Sequence, residues 1–77
     1  MPRFYFEVHE GTSTIDDDEG VELATVADAQ IEGAVALARM LADAIRKPVD
    51  RTMFILIRDE ARSPLCRVTL SLAVTLH

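Results

Sequence analysis

Asp16-Asp17-Asp18-Glu19-Gly20 is the densest chemical signal in the chain, four contiguous carboxylates followed by a glycine. Clustered carboxylates are what a hard cation such as calcium requires. The spacing is not that of an EF-hand, whose loop of about twelve residues alternates ligand positions and closes on a bidentate acid. A metal site here would draw on Asp16 and Asp18, with His9 as a nitrogen donor. His9 and Glu10 could also form an acid–base pair, since imidazole titrates near neutrality. No cysteine or second histidine lies nearby to complete a zinc set. The run therefore reads first as a solvated acidic turn, and His9 as a histidine at a strand end. Four adjacent negative charges repel one another, and Arg3, Arg58 and Arg67 are the cations that could offset them.

Cys66 is the sole cysteine, so no intramolecular disulfide can form; it falls on the apolar side of a strand pattern, where a thiol packs as a small hydrophobe. A Gly-rich phosphate loop, a Gly-x-Ser-x-Gly elbow and a Cys-x-x-Cys pair are all missing. The expectation is a protein that is not an enzyme, with no catalytic or cofactor-binding residues and no cofactor. Arg3-Phe4-Tyr5 interleaves a cation with aromatics, as single-strand nucleic-acid binders do, and Arg51, Arg58, Arg62 and Arg67 gather in the second half. With 13 acids against 8 bases the net charge is −5, which repels phosphate backbones and makes nucleic acid an unlikely partner. No apolar run reaches the roughly 20 residues that span a bilayer, and Met1-Pro2-Arg3-Phe4 lacks a signal-peptide pattern, so no membrane role is expected and the expected compartment is the cytoplasm.

One small core must position these groups. A chain of 77 residues buries only about 60% of its unfolded surface and is marginal without a disulfide, metal or partner subunit. Phe4, Phe6 and Val8 alternate with Tyr5, Glu7 and His9, which makes a first strand with three apolar side chains on one face. Gly11, Thr12 and Ser13 turn the chain, and either Thr14-Ile15-Asp16 or Val21-Glu22-Leu23 can form a short second strand. Thr25 and Asp28 have the spacing of a helix N-cap. Ile31, Ala34, Leu37, Ala38, Leu41 and Ile45 then recur at helical spacing, opposite Asp28, Glu32, Arg39, Asp43 and Arg46. Pro48 disfavours helix at Lys47 and stops it near Arg46. Thr52 to Ile57 is nearly continuous in apolar residues and reads as the central strand. Asp59 to Ser63 makes a hairpin into a last strand whose alternation runs from Cys66 to Leu76.

Met1-Pro2-Arg3-Phe4-Tyr5-Phe6, with Val8 and Glu10-Gly11, resembles the opening of a family of short bacterial proteins known as domain of unknown function 6894. The resemblance continues through Asp18-Glu19-Gly20-Val21-Glu22-Leu23, the Ala-rich helix with Leu41, and Ile57-Arg58-Asp59-Glu60. It departs at Ala61-Arg62-Ser63, where the family usually has a glycine, and at the C-terminal Leu72-Ala73-Val74. What it implies is an origin without an activity, because the family is named for lacking one. A looser likeness links the acidic turn and following helix to HicB-type antitoxin domains, whose Pro-Gly-rich link Val21-Glu22-Leu23-Ala24 does not reproduce.

The reading is a single α+β domain over residues 1–77, a small antiparallel sheet of three or four strands with one long helix packed on one face, in the order β-β-α-β-β. Such a sheet leaves Phe54, Leu56 and Tyr5 on its other face. The expected function is a non-catalytic binding or regulatory module acting as a homo-oligomer, self-associating through the C-terminal strand or the uncovered sheet face, with room for a protein partner. The alternatives are a HicB-antitoxin-like regulator binding a protein or nucleic acid, and a small metal-binding protein using His9, Asp16 and Asp18. Leu41→Asp should abolish folding by burying an unpaired charge on the helix's apolar face, whereas Asp43→Ala should melt like the wild type; thermal melts of the two variants check this.

Overall fold

The computed structural model describes residues 1–47 and 50–77. Three strands precede the helix: β1 (Arg3–Glu10), β2 (Ser13–Ile15) and β3 (Val21–Glu22). The helix α1 (Val26–Ala44) and the hairpin of β4 (Arg51–Arg58) and β5 (Pro64–Leu72) complete the α+β fold. The sheet is antiparallel with the order β2-β1-β4-β5, and β3 also pairs with β1. Both segments that competed for the second strand therefore pair, giving five strands in place of three or four. They share the outer edge of β1: Val8 to Glu10 face Ile15 to Ser13, while Arg3 and Phe4 face Glu22 and Val21. β4 lies at the sheet centre, as its apolar run predicts.

The pleat sorts the side chains. Phe4, Phe6 and Val8 of β1, Met53, Ile55 and Ile57 of β4, and Cys66, Val68, Leu70 and Leu72 of β5 form the floor under the helix. Register aligns them in rows, Phe6–Ile57–Cys66 and Val8–Ile55–Val68. Leu37, Met53, Ile55 and Ile57 are fully buried, each contributing roughly 1.5–3 kcal/mol by leaving water.

Thr25 caps α1 as expected, accepting from the Asp28 N–H at 3.1 Å. The helix ends two residues earlier than Arg46, because Ile45 turns to extended backbone (φ −69°, ψ 116°). No basic residue occupies the last turn. Arg51 instead reaches back from β4 and donates to the Ala44 carbonyl, bringing its charge to the negative end of the helix. Pro48, the expected helix stop, lies outside the described residues.

The buried face of α1 differs from the periodicity. Leu37 and Leu41 are buried, but Ile31, Ala34, Ala38 and Ile45 face away from the sheet, and the line that packs is Ala29, Gly33, Leu37 and Leu41. Two apolar stripes run along this helix, and the sheet takes the one that begins with its smallest residues. Alanine and glycine let the helix backbone approach: a Cβ built on Gly33 would sit 3.6 Å from Ile57 Cδ1, 3.7 Å from Phe6 Cε1 and 3.8 Å from Ile55 Cγ2.

The last strand is also shorter than its alternation, ending at Leu72, which faces Arg51 at the start of β4. Among the described residues the ladder with β4 goes no further. Val74 makes the final tie, donating to Asp50 Oδ1 at 2.8 Å, and Leu76 is exposed.

The contacts around Gly33 are ordinary van der Waals distances, so Gly33→Ala should fit and gain about 0.5–1 kcal/mol of helix stability. Gly33→Leu should lose more than that through overpacking. Denaturant midpoints of the two variants should move in opposite directions.

Candidate functional site

β2 and β3 together cover only part of the β1 edge, and the gap between them is filled by a side chain. Asp17 Oδ2 accepts the Phe6 N–H at 3.1 Å, a group that would otherwise lack a sheet partner. Its Oδ1 accepts from Gly20 N–H at 2.9 Å and Glu19 N–H at 3.1 Å, which folds the acidic run into a tight loop. Burial pushes the Asp17 carboxyl up, but the amides of Gly20, Phe6 and Glu19 and the Arg62 charge outweigh it and hold it below its ordinary 3.8.

Gly20 closes the loop at φ +73°, and a Cβ there would lie 2.8 Å from Arg3 Cγ and 2.9 Å from the Phe4 carbonyl oxygen. Only glycine combines that conformation with that approach. Arg3 clamps the loop from β1, donating to the Glu19 carbonyl at 2.8 Å and pairing with Glu22 at 3.1 Å.

The second clamp comes from the β4–β5 turn. Asp59 organises it: its Oδ1 accepts from the Ala61 and Ser63 amides, and its carbonyl accepts from Arg62 N–H at 2.9 Å. Arg62 adopts φ +66°, a left-handed conformation that glycine reaches without strain. The strain has an offset. The Arg62 guanidinium lies 3.7 Å from the centroid of the Tyr5 ring and donates to the Asp17 carbonyl at 3.0 Å. Of the cations expected to offset the acidic run, Arg3 does so, Arg58 is turned to Glu7 and to the Arg62 carbonyl, and Arg67 sits over Phe54. Arg62, which the linear sequence does not single out for this role, replaces them.

Tyr5, Glu7, Asp16, Asp17, Asp18, Arg58 and Arg62 line a shallow depression of about 360 Å³ at this corner. It opens onto the sheet face away from α1. There His9 stacks on Phe54 with ring centroids 4.4 Å apart and planes 10° from parallel, and Arg67 covers the Phe54 ring at 4.2 Å. His9 contacts Glu7 at 2.6 Å, and Glu7 also pairs with Arg58 at 3.7 Å. The hydrogen bond with His9, opposed by burial and aided by Arg58, holds the Glu7 carboxyl below its usual value. Tyr5, Phe54 and Leu56 are each half-buried on this face.

The metal-ligand candidates do not converge. His9 is engaged with Glu7, Asp16 lines the depression beside Glu7, and Asp18 points from the same exposed turn. Among the described residues no three His, Cys, Asp or Glu side chains gather in a geometry that could hold an ion. His9 and Glu10 lie on opposite faces of β1, and Glu10 pairs with Arg51 at 3.7 Å beneath the helix end. Cys66 packs against the core as a partly buried free thiol.

The site thus belongs to a small α+β domain with an aromatic and guanidinium sheet face on the side away from α1. Residues 3–71 match the family model described as Domain of unknown function (DUF6894), and the chain belongs to that family. No curated protein and no solved structure matches it.

Asp17→Ala should cost about 2–3 kcal/mol by stranding three amides, whereas Asp18→Ala should stay within about 0.5 kcal/mol of wild type. Because the folded Asp17 and Glu7 carboxyls are depressed, their stabilisation is complete above their ordinary values of 3.8 and 4.5 and is lost as pH falls through the folded values. Melting curves across acidic pH should therefore fall less steeply for Asp17→Ala than for wild type.

Proposed function

We propose that this domain is a non-catalytic binding module that receives a protein partner on the sheet face away from α1, and that it acts in the cytoplasm. The observation that carries the reading is the preorganised stack of His9, Phe54 and Arg67 beside Tyr5 and Arg62 on an uncovered sheet face. Aromatic and arginine side chains fixed in place before binding are the residue types that dominate protein–protein contacts, since little rotamer freedom remains to be lost. Leu56 lies between Glu7 and Arg67 in register and gives the face an apolar centre. The nine-residue β5 has β4 on one side and, among the described residues, no strand on the other, so a partner on this face has an edge beside it to pair with.

A nucleic-acid partner fits less well. Glu7, Asp16, Asp17 and Asp18 stand beside the same arginines, and the chain carries −5 overall. The cytoplasmic setting rests on the single unpaired cysteine, and among the described residues no helix is long and apolar enough to cross a membrane.

Affinity capture from native cells with the wild type and with Leu56→Lys, both checked for equal melting temperature, tests the reading. A protein held by the wild type and lost on Leu56→Lys is the expected result. A partner that stays on the variant, or no partner on the wild type, overturns it.

A further inference from the structure

The stripe of α1 that the sheet does not use has a pattern of its own. Ile31, Val35, Ala38, Ala42 and Ile45 are separated by four, three, four and three residues, which is the spacing of a coiled-coil seam. All five are exposed, Ile31 at 64% and Val35 and Ile45 at 42% each. Ala34 extends the same surface. An outward helix face normally carries the charges, but here they are displaced to one flank: Asp28 and Glu32 in the first half of the helix, Arg39 and Asp43 in the second, with Arg46 just beyond its end. Among the described residues none of these five makes an ion pair within the chain.

That distribution identifies the occupant. Glu32 and Arg39 are seven residues apart and occupy the same flank of the seam, so a parallel copy would bring no opposite charges together across it. An antiparallel copy sets Ile31 against Ala42, Val35 against Ala38, and their two-fold equivalents, each large side chain meeting a small one. In that register Glu32 faces Arg39 of the second copy, and the two-fold axis repeats the pair. The large-to-small layers let the helix backbones come close, and the charges fix direction and register.

From the apolar seam and its self-complementary charges, we propose that α1 is a homodimerisation helix, which pairs antiparallel with α1 of a second copy through Ile31, Val35, Ala38 and Ala42. The dimer is a four-layer sandwich, sheet–helix–helix–sheet, with a two-fold contact that uses the same patch on each subunit. It leaves both open sheet faces outward, so it goes beyond the binding role proposed for those faces and does not depend on it. It also moves self-association from the last strand and the sheet face, where the sequence alone places it, to the helix.

Sedimentation equilibrium on the full chain tests the proposal with charge-reversal variants at exposed positions. Wild type should dimerise in the micromolar range, and Glu32→Arg or Arg39→Glu alone should weaken the dimer about tenfold through two like-charge contacts each. The double variant Glu32→Arg with Arg39→Glu should recover the wild-type dimer, and mixing the two single variants should produce a heterodimer. Leu56→Lys, on the sheet face, should dimerise like wild type even where it loses a captured partner. A wild type that is monomeric at hundreds of micromolar, a dimer indifferent to the single reversals, or a double variant that fails to recover would each overturn the proposal.

Discussion

The carboxylate of Asp17 stands where a strand would otherwise be. β1 needs hydrogen-bond partners along its outer edge, β2 and β3 supply them only at the two ends, and Asp17 accepts the Phe6 amide between them. The same carboxylate gathers Gly20 and Glu19, so the position of β3 and the start of the helix that follows both depend on it. A single ionised group accepting three backbone amides is worth more than three neutral bonds in solvent, because each is charge-assisted and each amide would be costly to leave bare. The four-acid run is tolerable for the same reason: only one of its members has been drawn into the structure, and Arg3 and Arg62 bond the loop's carbonyls.

Arg62 ties that loop to the β4–β5 turn. Its backbone takes a conformation disfavoured by about 1 kcal/mol for a non-glycine residue, and its side chain recovers contacts that glycine cannot make, on the Tyr5 ring and on the Asp17 carbonyl. The β4–β5 turn and the acidic loop are thereby joined, though 45 residues separate Arg62 from Asp17 in sequence. Phe54 is handled in a similar way, with His9 on one side and the Arg67 guanidinium over its ring. The aromatic side chains left uncovered by the helix are therefore held in fixed orientations by polar neighbours.

Much of this was legible in the sequence. Strict alternation placed Phe4, Phe6 and Val8 on one face of β1 with Tyr5 on the other, and the continuous apolar run of β4 marked the sheet centre. Thr25 marked the helix start. The helix orientation was not legible, because Ile31, Ala34 and Ile45 carry as much hydrophobicity as the line that packs; backbone approach at Ala29 and Gly33 decided between the stripes, and hydrophobicity does not measure it. The end of β5 at Leu72 was set by where β4 begins, a property of the partner and not of the strand. Asp17 could not be told from Asp16 and Asp18 by type; its role follows from standing opposite an unpaired amide, which only the register of β1 reveals. Gly20 was the one available hint, a glycine fixed at the end of an acidic run.

The arrangement around β1 also limits how copies of this sheet can join edge to edge. Indefinite stacking of strands requires each molecule to present two open edges, one to receive and one to offer. Here the far side of β1 is closed by a three-residue strand, a two-residue strand and the Asp17 carboxylate, leaving no run long enough to template another chain. The nine residues of β5 are the only long edge in the described sheet. Two molecules joined along β5 would have consumed both of their long edges, so growth by strand addition terminates at a pair, and the fold carries its own stop against fibril formation.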